Sequence, residues 1–202
     1  MTTRPQGESW ARGRAGERDA RAWLMAHGYF VVPAADIENG GAPVLEGLAY
    51  KAVLPDLLVA MRGFSRWADV KTKSNATKHI KTKVWEHGCQ TSHWADYLAC
   101  QEQTGIEGWL AIYELQPIPM VLLQRLEELR RVARFYEGPN MPDGKPHVFF
   151  PRERFDWYEG PHREIATAKP GEPVALRTQK QGAPPSSRQL DLFRDPLERR
   201  WW

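Results

Sequence analysis

Two carboxylates and a lysine stand at spacings suited to holding a metal ion against a phosphate. Asp56 follows Pro55 in Leu54-Pro55-Asp56-Leu57-Leu58-Val59-Ala60. Asp69 and Lys71 stand in Arg66-Trp67-Ala68-Asp69-Val70-Lys71-Thr72-Lys73. Both stretches are rich in apolar and β-branched residues, and Arg62-Gly63 between them is a turn signal, so they read as short strands of one hairpin. Side chains alternate between the faces of a strand, which puts Asp69 and Lys71 on the same face. Pairing through the turn brings Asp56 near them at one end of the hairpin. Mg²⁺ is commonly held by one or two carboxylates plus water and phosphate oxygens. The ammonium group beside them can orient or deprotonate an attacking water, or stabilise charge on the phosphate.

Each residue also has an ordinary reading. An aspartate after proline suits strand entry, and Asp69 with Lys71 suits a solvated strand edge with cross-strand ion pairs. Glu17, among Arg14, Arg18 and Arg21, suits a helix-surface ion pair worth ~0.3–0.5 kcal/mol. The order of these residues along the elements argues for the site. So does the cost of an unpaired carboxylate between Trp67, Ala68 and Val70 with no cation nearby.

Residues 13–24 read as a helix, with Ala20, Trp23, Leu24 and His27 at i, i+3, i+4, i+7 spacing and Gly28 as its C-cap. Residues 92–104 read as a second helix ending at Gly105, and residues 108–113 as a buried strand. Trp94, Tyr97 and Leu98 supply the core face of the second helix, and Cys100 reads as a small core residue.

Asp56 with Asp69-x-Lys71, and Glu17 on the first helix, resembles the PD-(D/E)XK nuclease superfamily, which includes Holliday-junction resolvases and phage recombination nucleases. The resemblance covers roughly residues 12 to 115. It implies an α/β fold: a restriction-endonuclease-like αβββαβ core with a central mixed sheet flanked by helices. It implies Glu17, Asp56, Asp69 and Lys71 as catalytic residues. The implied metal ligands are Asp56, Asp69, Glu17 and the Val70 carbonyl, around Mg²⁺ with Mn²⁺ as a substitute. Members often carry a polar residue of the second helix near the site, here Gln90 or His93. Resolvases usually work as symmetric homodimers because two strands must be cut, but no dimer seam is legible in this chain.

Lys71, Lys73, Lys78, Lys81 and Lys83 crowd the segment after the metal-site strand, with little acid before Glu86. Ser74-Asn75-Ala76-Thr77 marks a loop, placed to contact phosphates beside the scissile one. Trp85 is expected to pack beneath that loop. Residues 122–136 read as an amphipathic helix lined by Leu123, Leu126, Leu129 and Val132. Residues 147–151 read as a strand.

The C-terminal residues change character. Lys169-Pro170-Gly171-Glu172-Pro173 and the Gln/Gly/Pro/Ser stretch over 179–187 read as flexible linker. From it emerges Gln189-Leu190-Asp191-Leu192-Phe193, which resembles the bacterial sliding-clamp-binding pentapeptide. In that mode Leu192 and Phe193 fill an apolar pocket while Gln189 makes polar contacts at its rim. The competing reading is a short helix docking back through Leu190, Phe193 and Leu197. The expected organisation is a flexible stretch over 1–11, a nuclease-like domain over 12–165 and a clamp-binding tail over 166–202.

Composition bounds the remainder. The chain has 202 residues and a net charge of +3, mildly basic rather than histone-like. It carries no run of eighteen apolar residues and no signal-peptide pattern, so a cytoplasmic protein of a bacterial or phage-infected cell is expected. Cys89 and Cys100 form no disulfide framework, and the histidines lack zinc-finger spacing with them. The expected activity is metal-dependent DNA cleavage in replication, repair or recombination. The alternative is a non-catalytic DNA-binding or clamp-interacting protein that retains the fold.

Overall fold

The computed structural model describes residues 6–34, 44–46, 51–80, 82–139, 141 and 144–160. Lys81 and the pentapeptide at 189–193 lie outside the described residues. The first helix, α1 (Gln6–Ala26), starts earlier than the expected position near Gly13. It buries Ala20, Trp23 and Leu24, as their spacing predicts. Gly28, in the left-handed region at φ 87°, turns the chain into β1 (Phe30–Pro33).

Strands β2 (Val44–Glu46) and β3 (Lys51–Val53) form a separate two-stranded sheet. Strands β4 (Leu57–Met61) and β5 (Phe64–Lys73) form the expected hairpin, closed by the Met61↔Phe64 pair with Arg62 and Gly63 in its loop. Gly63 takes φ 93°, a conformation that favours glycine in such loops.

Strand β6 (Thr77–Lys78) and strand β7 (Trp85–Gln90) form a second hairpin, and β7 runs directly into α2 (Thr91–Thr104). That helix ends at Gly105, at φ 65°, whose N–H donates to the Gln101 carbonyl. Strand β8 (Gly108–Glu114) is buried along its whole length. The order α1, β1, β4, β5, α2, β8 is the αβββαβ arrangement. The central sheet is mixed and six-stranded, with β5 and β8 parallel and every other neighbouring pair antiparallel.

The expected helix over 122–136 is absent. Strand β9 (Met120–Arg125) precedes the short helix α3 (Leu126–Arg130), which is followed by strand β10 (Arg134–Tyr136). Leu126 and Leu129 are helical, but Val121, Leu122 and Leu123 are buried in succession between β8 and β12 (Asp156–Glu159). A contiguous apolar run buried on both sheet faces has no period that separates it from a helix. Strand β11 (His147–Pro151) falls where expected and joins β10, β7 and β6 in a four-stranded second sheet.

The main core lies between α2, the central sheet and this second sheet. It includes Trp94, Tyr97, Leu110, Ile112, Leu122, Val148 and Phe150. Cys100 is fully buried, as expected. Among the described residues, no helix is long and apolar enough to cross a membrane.

Candidate active site

Strand β5 carries the site because its two faces meet two different helices. Thr72 faces α1, with its hydroxyl 3.4 Å from the Gly13 carbonyl. Trp67 and Lys71 face α2: the Trp67 indole donates to Thr104 Oγ1 at 3.0 Å, and Lys71 Nζ lies 5.5 Å from the Tyr97 ring centroid. Asp69 shares this second face by alternation.

The hairpin register sets Asp56 against this strand. Leu57 pairs with Ala68, and one step further Asp56 falls opposite Asp69. Its Oδ2 accepts the Val70 backbone N–H at 2.7 Å. Lys71 Nζ lies 2.7 Å from Asp69 Oδ2. Asp69 is buried, and the Lys71 ammonium and the Tyr97 side chain are its polar partners.

Burial dominates the electrostatics of the cluster. Burial, then the Asp69 charge, pushes the Asp56 carboxyl up to about 8, against the opposing pull of Lys71 and the Val70 N–H. Burial also raises Glu17, with Lys71 opposing and Asp69 reinforcing the rise. For Lys71, burial works against the charged form, but Asp69 and Asp56 outweigh it and the ammonium is raised. Burial pushes the Cys89 thiol up to about 12, with the Asp69 charge adding to the rise.

A hard divalent cation fits this donor set. It would meet a buried Asp69 carboxylate and a second carboxylate, Asp56, that burial holds toward its neutral form. Asp56, Asp69 and the Val70 carbonyl are the residues that would hold such an ion. Among the described residues, no three His, Cys, Asp or Glu side chains converge as a ready-made cage. Mg²⁺ sites commonly draw on water and phosphate oxygens as well.

The remaining expected residues separate into groups. Glu17 is coupled electrostatically to Lys71 and Asp69 from α1. Lys73 is half-buried at the end of β5, lowered by burial and then by Lys71, with Arg12 adding to the effect. Partial burial, then Lys71, lowers His93 on the first turn of α2. Gln90 ends β7 opposite His147, and no described contact links it to the three central residues. Lys78 and Lys83 are exposed on the second hairpin. Trp85 is 51% exposed rather than packed beneath the loop, with Lys78 Nζ over its ring at 5.6 Å from the centroid.

Some contributors carry no signal that sequence reading would pick out. Gly16 lets α1 approach β5: a Cβ there would fall 1.7 Å from Thr72 Oγ1 and 2.8 Å from Thr72 Cβ. Tyr97 reads as core from its spacing, yet its ring also lies beneath the Lys71 ammonium. Its phenol is held well above the ordinary range by burial and then by the Asp69 charge. Arg12 Nη1 donates to Ser74 Oγ at 3.2 Å and ties α1 to the end of β5. Spacing along the chain shows none of these approaches across elements.

No known family model matches the chain, and no curated protein sequence matches it. Among solved structures, the chain is similar to Hjc of Archaeoglobus fulgidus, a Holliday junction resolvase from an archaeal hyperthermophile. That match has 13% identity and a TM-score of 0.46, covering 71% of this chain and 91% of the resolvase. It is also similar to D212, a nuclease from a fusselovirus, at 5% identity and a TM-score of 0.40. That match covers 77% of this chain and 89% of the viral one.

Proposed function

We propose that this chain is a Mg²⁺-dependent deoxyribonuclease, with Mn²⁺ able to substitute. One observation carries the reading: Asp56 and Asp69 meet across the β4–β5 hairpin, with Lys71 Nζ 2.7 Å from the buried Asp69 Oδ2. A bound cation would polarise the scissile phosphate and stabilise the departing oxygen.

The residues of the chain supply the positioning. The Val70 N–H fixes the Asp56 carboxylate through one oxygen, and the other would serve as a ligand. Lys71, tethered by Asp69 and the Tyr97 ring, orients a water for in-line attack. A new P–O bond forms from that water as the bond to the 3′ oxygen breaks; the water's proton passes to solvent and the departing 3′ oxygen takes one up from solvent, giving a 5′-phosphate and a 3′-hydroxyl. Glu17 holds a water or a second cation at the α1 side. Lys73 and the hairpin residues Lys78 and Lys83 contact flanking phosphates, and His93 lines the approach along α2.

The pentapeptide Gln189-Leu190-Asp191-Leu192-Phe193 supports recruitment to a bacterial sliding clamp. Tethering two binding modules through a short linker gives effective concentrations of order millimolar. Weak intrinsic affinity for DNA then suffices, which accords with a net charge of only +3.

The test is cleavage of labelled DNA by the full chain and by Asp69→Ala and Lys71→Ala, with folding checked by circular dichroism. Both folded variants are expected to lose cleavage. Full activity in either would overturn the assignment.

A further inference from the structure

The β6–β7 hairpin carries an apolar side chain where packing gives no reason for one. Ile80, in the connecting loop, is 82% exposed, the highest value among the exposed large apolar side chains of the described residues. Single exposed apolar residues are common, but this one is held out on a braced loop. The His79 N–H donates to the Val84 carbonyl at 2.8 Å, and the Lys83 N–H donates to the His79 carbonyl at 2.9 Å. The Thr82 N–H donates to His79 Nδ1 at 3.1 Å, which fixes the imidazole with its proton on Nε2. Lys83 completes the turn in the left-handed region at φ 60°. The His79 ring lies 5.1 Å from that of Tyr136 on β10, joining the loop to the second sheet.

The surroundings of Ile80 select its occupant. Lys78 and Lys83 stand exposed on either side of it, and Trp85, paired with Lys78 where the strands meet the loop, presents a half-exposed ring under the Lys78 ammonium. The hairpin leaves β5 directly after the residues assigned to the metal site. An exposed apolar side chain between cations matches duplex DNA at a base step, with the lysines on phosphates and Ile80 entering the stack. Apolar wedges of this kind part adjacent bases and kink the duplex.

We infer that the Thr77–Gln90 hairpin is a DNA wedge. Ile80 enters a weakly stacked step, such as a nick or strand junction, and directs cleavage to DNA that is interrupted there. This deepens the nuclease reading and rests on it for the cleavage preference, but the unstacking itself does not require catalysis.

The test uses the full chain, a nicked duplex with 2-aminopurine beside the nick, and the continuous duplex of the same sequence. Binding is followed by anisotropy and unstacking by 2-aminopurine fluorescence, both in EDTA. The wild type is expected to raise fluorescence on the nicked DNA. Ile80→Ser, which alters only an exposed side chain, should bind but lose that rise. With Mg²⁺, its preference for nicked over continuous DNA should fall about tenfold, or about 1.4 kcal/mol. An equal rise in both proteins, or none in the wild type at saturation, would overturn the wedge. Unstacking without any cleavage would keep the wedge and remove the nuclease reading. Cleavage that depends on Asp69, with unstacking indifferent to Ile80, would do the reverse. Failure to bind either DNA would overturn both.

Discussion

Asp56 Oδ2 accepts the backbone N–H of Val70 at 2.7 Å, so one carboxylate of the site is fixed by the main chain of the strand that carries the other. Replacing Asp56 by alanine removes a proposed metal ligand and also leaves the Val70 N–H without its acceptor. Cleavage by Asp56→Ala is expected to fall at least about 100-fold. The folded state should lose roughly 1–3 kcal/mol in urea denaturation. Asp56→Asn keeps an acceptor for Val70 and should recover most of the stability without the activity. Equal stability of the two variants would contradict this division.

Cation binding should appear without any reaction. Mg²⁺ at about 100 times its dissociation constant stabilises the native state by about 2.7 kcal/mol. A thermal-melt upshift with Mg²⁺ is expected for the wild type and should be lost in Asp69→Asn. A shift of the same size in both proteins would place the ion elsewhere.

The approach of α1 to β5 depends on Gly16. A methyl group there meets the Cβ of Thr72, which no rotamer change can move aside. Gly16→Ala is expected to cost about 1–3 kcal/mol by overpacking. Because Glu17 is the next residue, cleavage should fall by more than the loss of folded protein explains. The double variant with Thr72→Ala should recover part of both. No recovery would show that the contact is not limiting.

A buried acid network joins the second sheet to the first. Glu114 Oε2 accepts from Arg152 Nε at 2.8 Å and contacts His87 Nε2 at 3.2 Å. Burial works to raise Glu114, but the hydrogen bonds from His87 and Arg152 outweigh it, and the net shift is downward. A carboxyl lowered on folding contributes stability above its unfolded range and loses it as pH falls through the folded value. Stability from Glu114 should therefore hold at neutral pH and decline below the ordinary glutamate range. In Glu114→Gln this decline should be shallower, from a plateau roughly 1.5–3 kcal/mol lower. Parallel pH profiles for the two proteins would refute the linkage.

The central triad is legible because strand alternation and the two-residue Arg62-Gly63 loop leave little freedom. Together they bring Asp56, Asp69 and Lys71 into one place. The αβββαβ order follows from the same signals. Strand β7 is not legible, because Glu86 and His87 are buried polar residues. Their partners, Arg134 at 2.6 Å and Glu114, are distant in sequence. Leu123, Leu126 and Leu129 imitate a helix because β9 passes directly into α3. Gly16 reads as a neutral helix residue, since only Thr72 on another element reveals its use.

The most direct measurement of the central claim is cleavage of labelled duplex, single-strand, flap, nicked and four-way-junction DNA by the full chain. It is run in Mg²⁺, in Mn²⁺ and in EDTA, with and without bacterial sliding clamp. Cutting in either metal, absent in EDTA and in Asp69→Ala, is the predicted result. No cutting of any DNA in either metal, even with clamp, would contradict the account.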